Sequence, residues 1–256
     1  EDRLLTTDAI APAIAATDDR FLLTWRDSGL FGVSSHIFAR ELDAQSESAP
    51  FVVTESLQSP ISDSVVSPSG RGFLVAWKQN REVVDRPGLR AEETSRIRTP
   101  QVELHARRVA DSYEEDWAVA PSNVSYWAGA IASNGTTHLG AWIERSNGKI
   151  AANIARNGAS LSRIAVTRTA TEQSDPQVVK CGDHLLVVWS EEVRGDGRFA
   201  VMARRFRMSG EAIDAAPIAI ANSIENQRRP AAAFDGTSYM IAWSADRHLY
   251  APPLHV

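Results

Sequence analysis

The chain has 256 residues, of which 43% are hydrophobic, and 27 basic and 32 acidic residues give it a formal net charge of −5. Acids and bases are interspersed, which excludes the concentrated positive surface of a nucleic-acid-binding protein. The single cysteine, Cys181, excludes an internal disulfide and a cysteine-based zinc site. No apolar run approaches the roughly 20 residues of a transmembrane helix, and no cofactor or metal motif is present.

Five tryptophans each end a similar stretch of fourteen residues, and the five stretches align without gaps. The stretches are PAIAATDDRFLLTW (12–25), SVVSPSGRGFLVAW (64–77), GAIASNGTTHLGAW (129–142), PQVVKCGDHLLVVW (176–189) and PAAAFDGTSYMIAW (230–243). Each predicts a β-hairpin, because a turn signal such as Asn134-Gly135 or Asp235-Gly236 separates two apolar runs. The first run of each stretch is rich in small residues, which suits an innermost strand where several sheets converge.

Two further strands follow each hairpin. The third strands are HIFAR (36–40), ELHAR (103–107), KIAAN (149–153), VMARR (201–205) and HLYAP (248–252), and the fourth are FVVT (51–54), WAVA (117–120), IAVT (164–167) and IAIA (218–221). The fifth copy has no fourth strand, but residues 4–7, LLTT, supply one before the first hairpin. This pattern predicts an all-β fold, a five-bladed β-propeller with four-stranded blades closed by the N-terminal strand pairing into the last blade. An open β-solenoid or a two-domain sandwich would leave that N-terminal strand without a role.

The prediction is therefore one domain over residues 1–256. Its blades cover about 11–55, 56–121, 122–169, 170–222 and 223–256, the last together with 1–10.

The last hairpin and the HLYAPPL segment after it resemble a repeat of bacterial secreted and surface propellers. In that repeat a Pro-x-x-x-Phe-Asp-Gly-x-x-Tyr-x-x-x-Trp hairpin precedes an Ile-Tyr-Ala-Arg-Arg strand. The match is close in the fifth copy, clear in the fourth and degenerate in the first three. The resemblance implies a bacterial, extracytoplasmic display scaffold, but its motif positions are structural and imply no reaction.

Residues just before the inner strands and just after the tryptophans are expected to share one face, a polar funnel mouth. Trp127 precedes an inner strand there and has a ring suited to stacking on a sugar. The predicted ligand-binding residues are Arg26, Asp63, Lys78, Trp127, Glu144, Asp175, Glu191, Arg228, Arg229 and Asp246. Exposed loop ends are commonly polar, so each residue taken alone also fits an ordinary solvated surface.

The second copy carries an insertion at residues 78–101, between its second and third strands. It is highly charged, and a long insertion on a binding face is often a lid or partner-binding loop. A tolerated surface excursion is the alternative, because loop-closure entropy grows slowly with length.

From these features we predict a non-catalytic, extracytoplasmic binding module whose funnel mouth holds a protein or carbohydrate partner. One alternative is a five-bladed glycoside hydrolase that uses Asp63, Glu144 and Asp175, because glycoside hydrolysis needs paired carboxyl groups. A second alternative is a structural subunit of a surface assembly, with neither pocket nor substrate.

Overall fold

A computed structural model describes residues 10–26, 36–55, 61–84, 98–109, 117–118, 126–144, 149–156, 159–193, 195, 197–223 and 225–246. These residues form β-strands joined by turns and bridges, and no helix occurs among them. The all-β class is therefore confirmed. The described part of the chain also contains no candidate membrane-spanning helix.

The strands form five antiparallel sheets in chain order. Sheet 1 contains β1 (Ile10–Ala16), β2 (Phe21–Arg26), β3 (His36–Leu42) and β4 (Phe51–Glu55). Sheet 2 contains β5 (Ile61–Ser69), β6 (Gly72–Val84), β7 (Arg98–Val109) and β8 (Trp117–Ala118). Sheet 3 contains β9 (Tyr126–Ser133), β10 (Thr137–Glu144), β11 (Lys149–Arg156) and β12 (Ala159–Ala165).

Sheet 4 contains β13 (Gln173–Cys181), β14 (His184–Glu192), β15 (Phe199–Arg207) and β16 (Ile218–Ala221). Sheet 5 has two described strands, β17 (Asn226–Phe234) and β18 (Tyr239–Asp246). In every sheet, strands that are neighbours in the sequence are also neighbours in space. The predicted N-terminal strand and the predicted third strand of the fifth copy lie outside the described residues.

The chain divides into two compact units. Unit 1 comprises Glu1–Tyr126, Ser133–His138 and Arg156–Ser160, and unit 2 comprises Trp127–Ala132, Leu139–Ala155 and Leu161–Val256. The core of unit 1 is a cluster of aliphatic and aromatic side chains that includes Leu22, Ile37, Phe73 and Trp77. The core of unit 2 includes Leu139, Leu185, Trp189 and Phe206. A single domain over residues 1–256 stays a prediction.

The five repeat tryptophans do not share one environment. Trp25, Trp77, Trp142 and Trp189 are at most 5% exposed, whereas Trp243 is 40% exposed. Four of them therefore contribute to packing, as their common position in the repeat predicts. Sheet 5 departs from this pattern, and its Met240 is 75% exposed.

The ends of the insertion in sheet 2 are strands rather than loop. Strands β6 and β7 remain paired as far as Val84 and Arg98, so the ladder extends well past Trp77. Residues 85–97 lie outside the described residues. The two strands therefore form an extended ribbon, and any role of the insertion as a lid or partner loop stays a prediction.

A bulge interrupts the inner strand of four hairpins close to the first position of the repeat. The register shifts lie between Ile10 and Ala13, Ile61 and Ser64, Ser174 and Gln177, and Arg228 and Ala231. Ala11, Asp175 and Arg229 lie in three of these bulges and have positive φ angles of 50°, 52° and 54°. Such a backbone costs a residue with a Cβ about 1–2 kcal/mol. The strained conformation therefore belongs to the repeat position, whichever side chain occupies it.

Candidate active site at the bulged strand ends

In four of the hairpins a bulge lies near the start of the inner strand. A β-bulge sets two residues against one on the partner strand and re-aims a side chain, and bulges are over-represented next to active sites. Asp63 lies in the bulge of β5, Asp175 in that of β13, and Arg229 in that of β17. The bulged ends of these inner strands are therefore candidate positions for functional side chains.

Asp175 is a half-buried carboxylate on this strained backbone. Its Oδ2 accepts a hydrogen bond from Ser174 Oγ at 2.8 Å. Aspartate adopts the left-handed region more readily than most residues with a Cβ, so the side chain suits its backbone. Asp63 lies in strand β5, in the stretch paired opposite Lys78, but its side chain lies outside the described part of the structure.

The carboxylate of Glu191 accepts three described hydrogen bonds. Its side chain is buried, and Oε1 accepts hydrogen bonds from the hydroxyls of Thr169 at 2.5 Å and Thr171 at 3.0 Å. Its Oε2 accepts from the indole Nε1 of Trp189 at 2.7 Å. These contacts join the β12–β13 connection to the end of β14. Each hydrogen bond described for the Glu191 carboxylate is donated by another side chain of this protein.

Arg228 and Arg229 bring positive charge to the same end of unit 2. The guanidinium of Arg228 lies 3.6 Å from the centre of the Phe199 ring, in cation–π contact. Arg229 occupies the β17 bulge and is exposed. Strands β13 and β17 are in contact within unit 2, and each carries its bulge near its first residues.

The remaining predicted residues are placed by their strands. Arg26 ends β2 and pairs with Ile10, and Lys78 lies in β6 opposite Leu104; both are half-buried. Glu144 ends β10, Trp127 is the second residue of β9, and Asp246 ends β18. The side chains of these last three residues lie outside the described part.

The predicted residues are divided between the two units. Unit 1 holds Arg26, Asp63 and Lys78, and unit 2 holds Trp127, Glu144, Asp175, Glu191, Arg228, Arg229 and Asp246. That they form one ligand-binding surface stays a prediction. Among the described residues, no group of three or more histidine, cysteine or acidic side chains converges as a metal site.

Sequence reasoning missed the residues that hold these groups in place. Asn226 Oδ1 accepts a hydrogen bond from Phe199 N at 3.0 Å, and Phe199 carries Arg228 on its ring. Phe199 precedes the repeated VMARR motif, so the repeat alignment gives it no special position. The one available signal was the threonine-rich stretch 167–171, which supplies two hydroxyls to Glu191.

No family model matches the chain, and no curated protein matches it in sequence. Solved structures do resemble it. The endo-arabinase from Bacteroides thetaiotaomicron aligns over 93% of this chain and 89% of its own, with 10% identity and a TM-score of 0.50. The exo-β-1,3-galactanase from Clostridium thermocellum aligns over 94% and 55%, with 8% identity and a TM-score of 0.52. The Trypanosoma rangeli sialidase aligns over 81% and 38%, with 12% identity and a TM-score of 0.51.

At these identities the likeness shows the fold, and it supports the β-propeller class. It also corrects the functional prediction. The non-catalytic binding module is wrong as the leading hypothesis, because the structures that resemble the chain are carbohydrate hydrolases. The sequence contains no reaction motif, and the resemblance to display repeats rests on structural positions, so neither favoured an enzyme.

Proposed function

We propose that this chain is a β-propeller glycoside hydrolase whose acidic residues at the bulged strand ends cleave a glycosidic bond. The observation that carries the proposal is the repeated bulge, which has an aspartate in both β5 and β13. Hydrolysis of a glycosidic bond needs one carboxyl group to protonate the leaving oxygen and a second as base or nucleophile. Asp175, which lies in unit 2, is assigned to one of these two roles.

Glu144 belongs to the same unit as Asp175 and is the candidate for the second role. It follows Trp142 by two residues, just as Glu191 follows Trp189, so the two glutamates share a repeat position. Glu191 accepts the indole N–H of its tryptophan. Glu144 therefore has two possible roles, reaction with substrate or support of Trp142, and each predicts a different effect of substitution.

The test is release of reducing sugar from a panel of polysaccharides by wild type and by D175N and E144Q. D175N is expected to lose roughly 10²–10⁴-fold in kcat with unchanged melting temperature, since it removes a proton donor or acceptor. E144Q loses activity alone if Glu144 reacts, and loses stability if it supports Trp142. D18N is the matched control, because Asp18 is exposed in the hairpin turn at the other end of sheet 1.

Wild-type activity in D175N would contradict the assignment of this residue. Absence of hydrolysis by wild type across neutral and acidic polysaccharides would contradict the hydrolase itself.

We further propose that the propeller has five blades and that residues 4–7 complete the fifth. Five copies of the hairpin support the blade number, and the two described strands of sheet 5 leave room for the proposed pairing.

We propose an extracytoplasmic location in a bacterium, with a carbohydrate as the substrate. The resemblance of the fifth hairpin to repeats of secreted and surface propellers supports the location. Fractionation of cells that express the full-length gene product tests it, and a cytoplasmic product would contradict it.

A further inference from the structure

The side chain of Arg228 stacks on an aromatic ring at the bulged end of β17. Its guanidinium lies over the Phe199 ring, with its carbon atom 3.6 Å from the ring centre. Phe199 is itself 3% exposed, so the platform beneath the guanidinium is part of the packed interior. The arginine is half-buried and therefore stays reachable from solvent.

Among the described residues, four arginines have a buried Nε atom without a hydrogen-bond partner, and the rest of the guanidinium makes different contacts in each. Arg20 bonds Glu41 and the carbonyl of Arg71, Arg40 pairs with Glu47, and Arg108 donates to the carbonyl of Gly135. For Arg228, no hydrogen bond or ion pair of the guanidinium is seen in the described part of the chain. Buried polar groups are normally satisfied, and an exception calls for an explanation.

The backbone and the platform hold Arg228 in one place. Asn226, two residues earlier on β17, accepts the Phe199 N–H at 3.0 Å and fixes the start of β15 against β17. Ser244 Oγ donates to the Arg228 carbonyl at 2.9 Å across the β17–β18 ladder. The Arg228 side chain therefore loses its conformational entropy when the protein folds. Binding of a ligand to it costs less entropy for that reason.

A guanidinium stacked on an aromatic ring uses its flat face and keeps its N–H groups along the edge. Those N–H groups match the two oxygens of a carboxylate in a bidentate pair. A neutral hydroxyl accepts a single hydrogen bond and leaves the charge uncompensated. The group that complements Arg228 is accordingly a carboxylate.

We propose that Arg228 binds the carboxylate of an acidic sugar, so that the substrate is a carboxylated glycan. Exposed Arg229 lies next to it and adds positive charge, while Asp175 lies on the contacting inner strand β13. The sugar carboxylate then sits on the arginine side of the bulged end, and the acidic residues face the glycosidic bond. This inference rests on the proposed function for the reaction, while the recognition of a carboxylate is separately measurable.

The test measures binding by calorimetry and hydrolysis by sugar release, using the whole chain. The probes are oligogalacturonates, oligomannuronates and sialyllactose, each beside its carboxyl-reduced counterpart. Wild type is expected to prefer at least one acidic probe over its reduced form by about tenfold or more, the value of a charge-assisted bidentate pair. R228Q should abolish this preference, and R228K should retain part of it because the charge remains.

R207Q is the matched control, because Arg207 is an exposed arginine of the same unit at the far end of β15, in a surface ion pair with Glu211. It should keep the wild-type preference. Thermal melting of R228Q and R228K separates loss of recognition from loss of fold.

Three outcomes overturn the inference: equal binding of acidic and reduced probes by wild type, no binding of any acidic probe, or an undiminished preference in R228Q. Cleavage of neutral probes alone would overturn it while leaving the proposed hydrolase intact. Conversely, Arg228-dependent binding of an acidic probe without any cleavage would support it and count against the hydrolase.

Discussion

Glu191 shows how one side chain can connect two parts of a sheet. Its oxygens accept from two threonine hydroxyls before β13 and from the indole of Trp189 on β14. All three donors are neutral, so the charge is stabilised by hydrogen bonds rather than by an ion pair. Removing the carboxylate would leave a buried indole N–H without an acceptor, which is costlier than losing an exposed contact.

We therefore expect E191A to lower the free energy of unfolding by about 3 kcal/mol, and E191Q by less, because an amide oxygen still accepts. Urea unfolding followed by tryptophan fluorescence measures both. E192Q is the control, since Glu192 is described with a single acceptor contact, to Gly197 N, and a loss below about 1 kcal/mol is expected. Equal losses in E191A and E192Q would contradict the role given to Glu191.

The positions of single residues such as Asp63 and Asp175 could be predicted from the sequence, but the residues around them could not. Asp63 and Asp175 could be placed at equivalent positions because each precedes a repeat whose tryptophan fixes the register. The contact between Phe199 and Arg228 joins residues in different sheets, and no local pattern encodes it. The same holds for the burial of Glu191, which depends on threonines contributed by a connection rather than by a strand.

Between neighbouring elements, polar contacts recur where the hairpin turns meet. Within unit 1, Ser69 Oγ lies 2.8 Å from Ser133 Oγ, which lies 2.7 Å from His138 Nδ1. Arg108 lies 3.5 Å from His138 Nε2, and since arginine only donates, this nitrogen accepts and Nδ1 carries the proton. The neutral ring is thus built into the contact between the β5–β6 and β9–β10 turns.

A glycine is required at this contact. Gly135 has a φ of +99°, and a Cβ at this position would lie 3.2 Å from the backbone of Gly70. Any side chain there would both strain the turn and push the two turns apart. The repeated glycine at the seventh position of the hairpin therefore has a packing reason here in addition to its conformational one.

Burial, together with the positive charge of Arg108, lowers the pKa of His138 to about 4 from its ordinary value of 6.5. The unfolded chain therefore binds a proton between these pH values that the folded chain does not, so stability falls as the pH falls through this window. We expect a loss of about 3 kcal/mol between pH 7 and pH 4 from this residue.

The variant that tests this is H138F, because phenylalanine occupies the equivalent position in the first two hairpins, as Phe21 and Phe73. Urea unfolding at a series of pH values from 7 to 4 should give a flatter profile for H138F than for wild type. An identical slope in the two proteins would show that the acid sensitivity has another source.

The elements themselves were largely readable from the sequence. The hairpins were found because turn signals and terminal tryptophans repeat at a fixed spacing. The bulges could not be predicted, because one extra residue in a strand does not change the composition of the segment. The strand extension from Gln79 to Val84 was missed because its residues are mostly polar and its partner strand is distant in the chain.

For the whole molecule, similarity of fold persists where similarity of sequence has almost vanished. The chain shares 8–12% identity with hydrolases whose structures it resembles. Few positions are needed to specify a repeated hairpin: small residues on the inner strand, a turn and a large apolar residue at the end. The all-β class could be predicted for this reason, whereas the proposed function rests on side chains that differ from one copy of the repeat to the next.

The proposed closure makes a prediction at this scale. Deletion of residues 1–9 should lower the free energy of unfolding and speed amide hydrogen exchange in β17–β18, because sheet 5 would lose a strand. Deletion of residues 1–3 alone is the control, since it keeps the apolar LLTT segment. If both deletions have the same effect on exchange in β18, the N-terminal strand does not complete sheet 5.

The bulge has a consequence for how such a protein can change its specificity. Alanine, aspartate and arginine occupy it with φ angles of 50°, 52° and 54°, so the backbone is indifferent to the side chain that it carries. Exchange of that one residue alters the chemistry offered to a ligand without rebuilding the strand. In the proposed hydrolase, a single substitution at this repeat position would therefore change the side chain offered to a substrate, while the strand would keep its conformation.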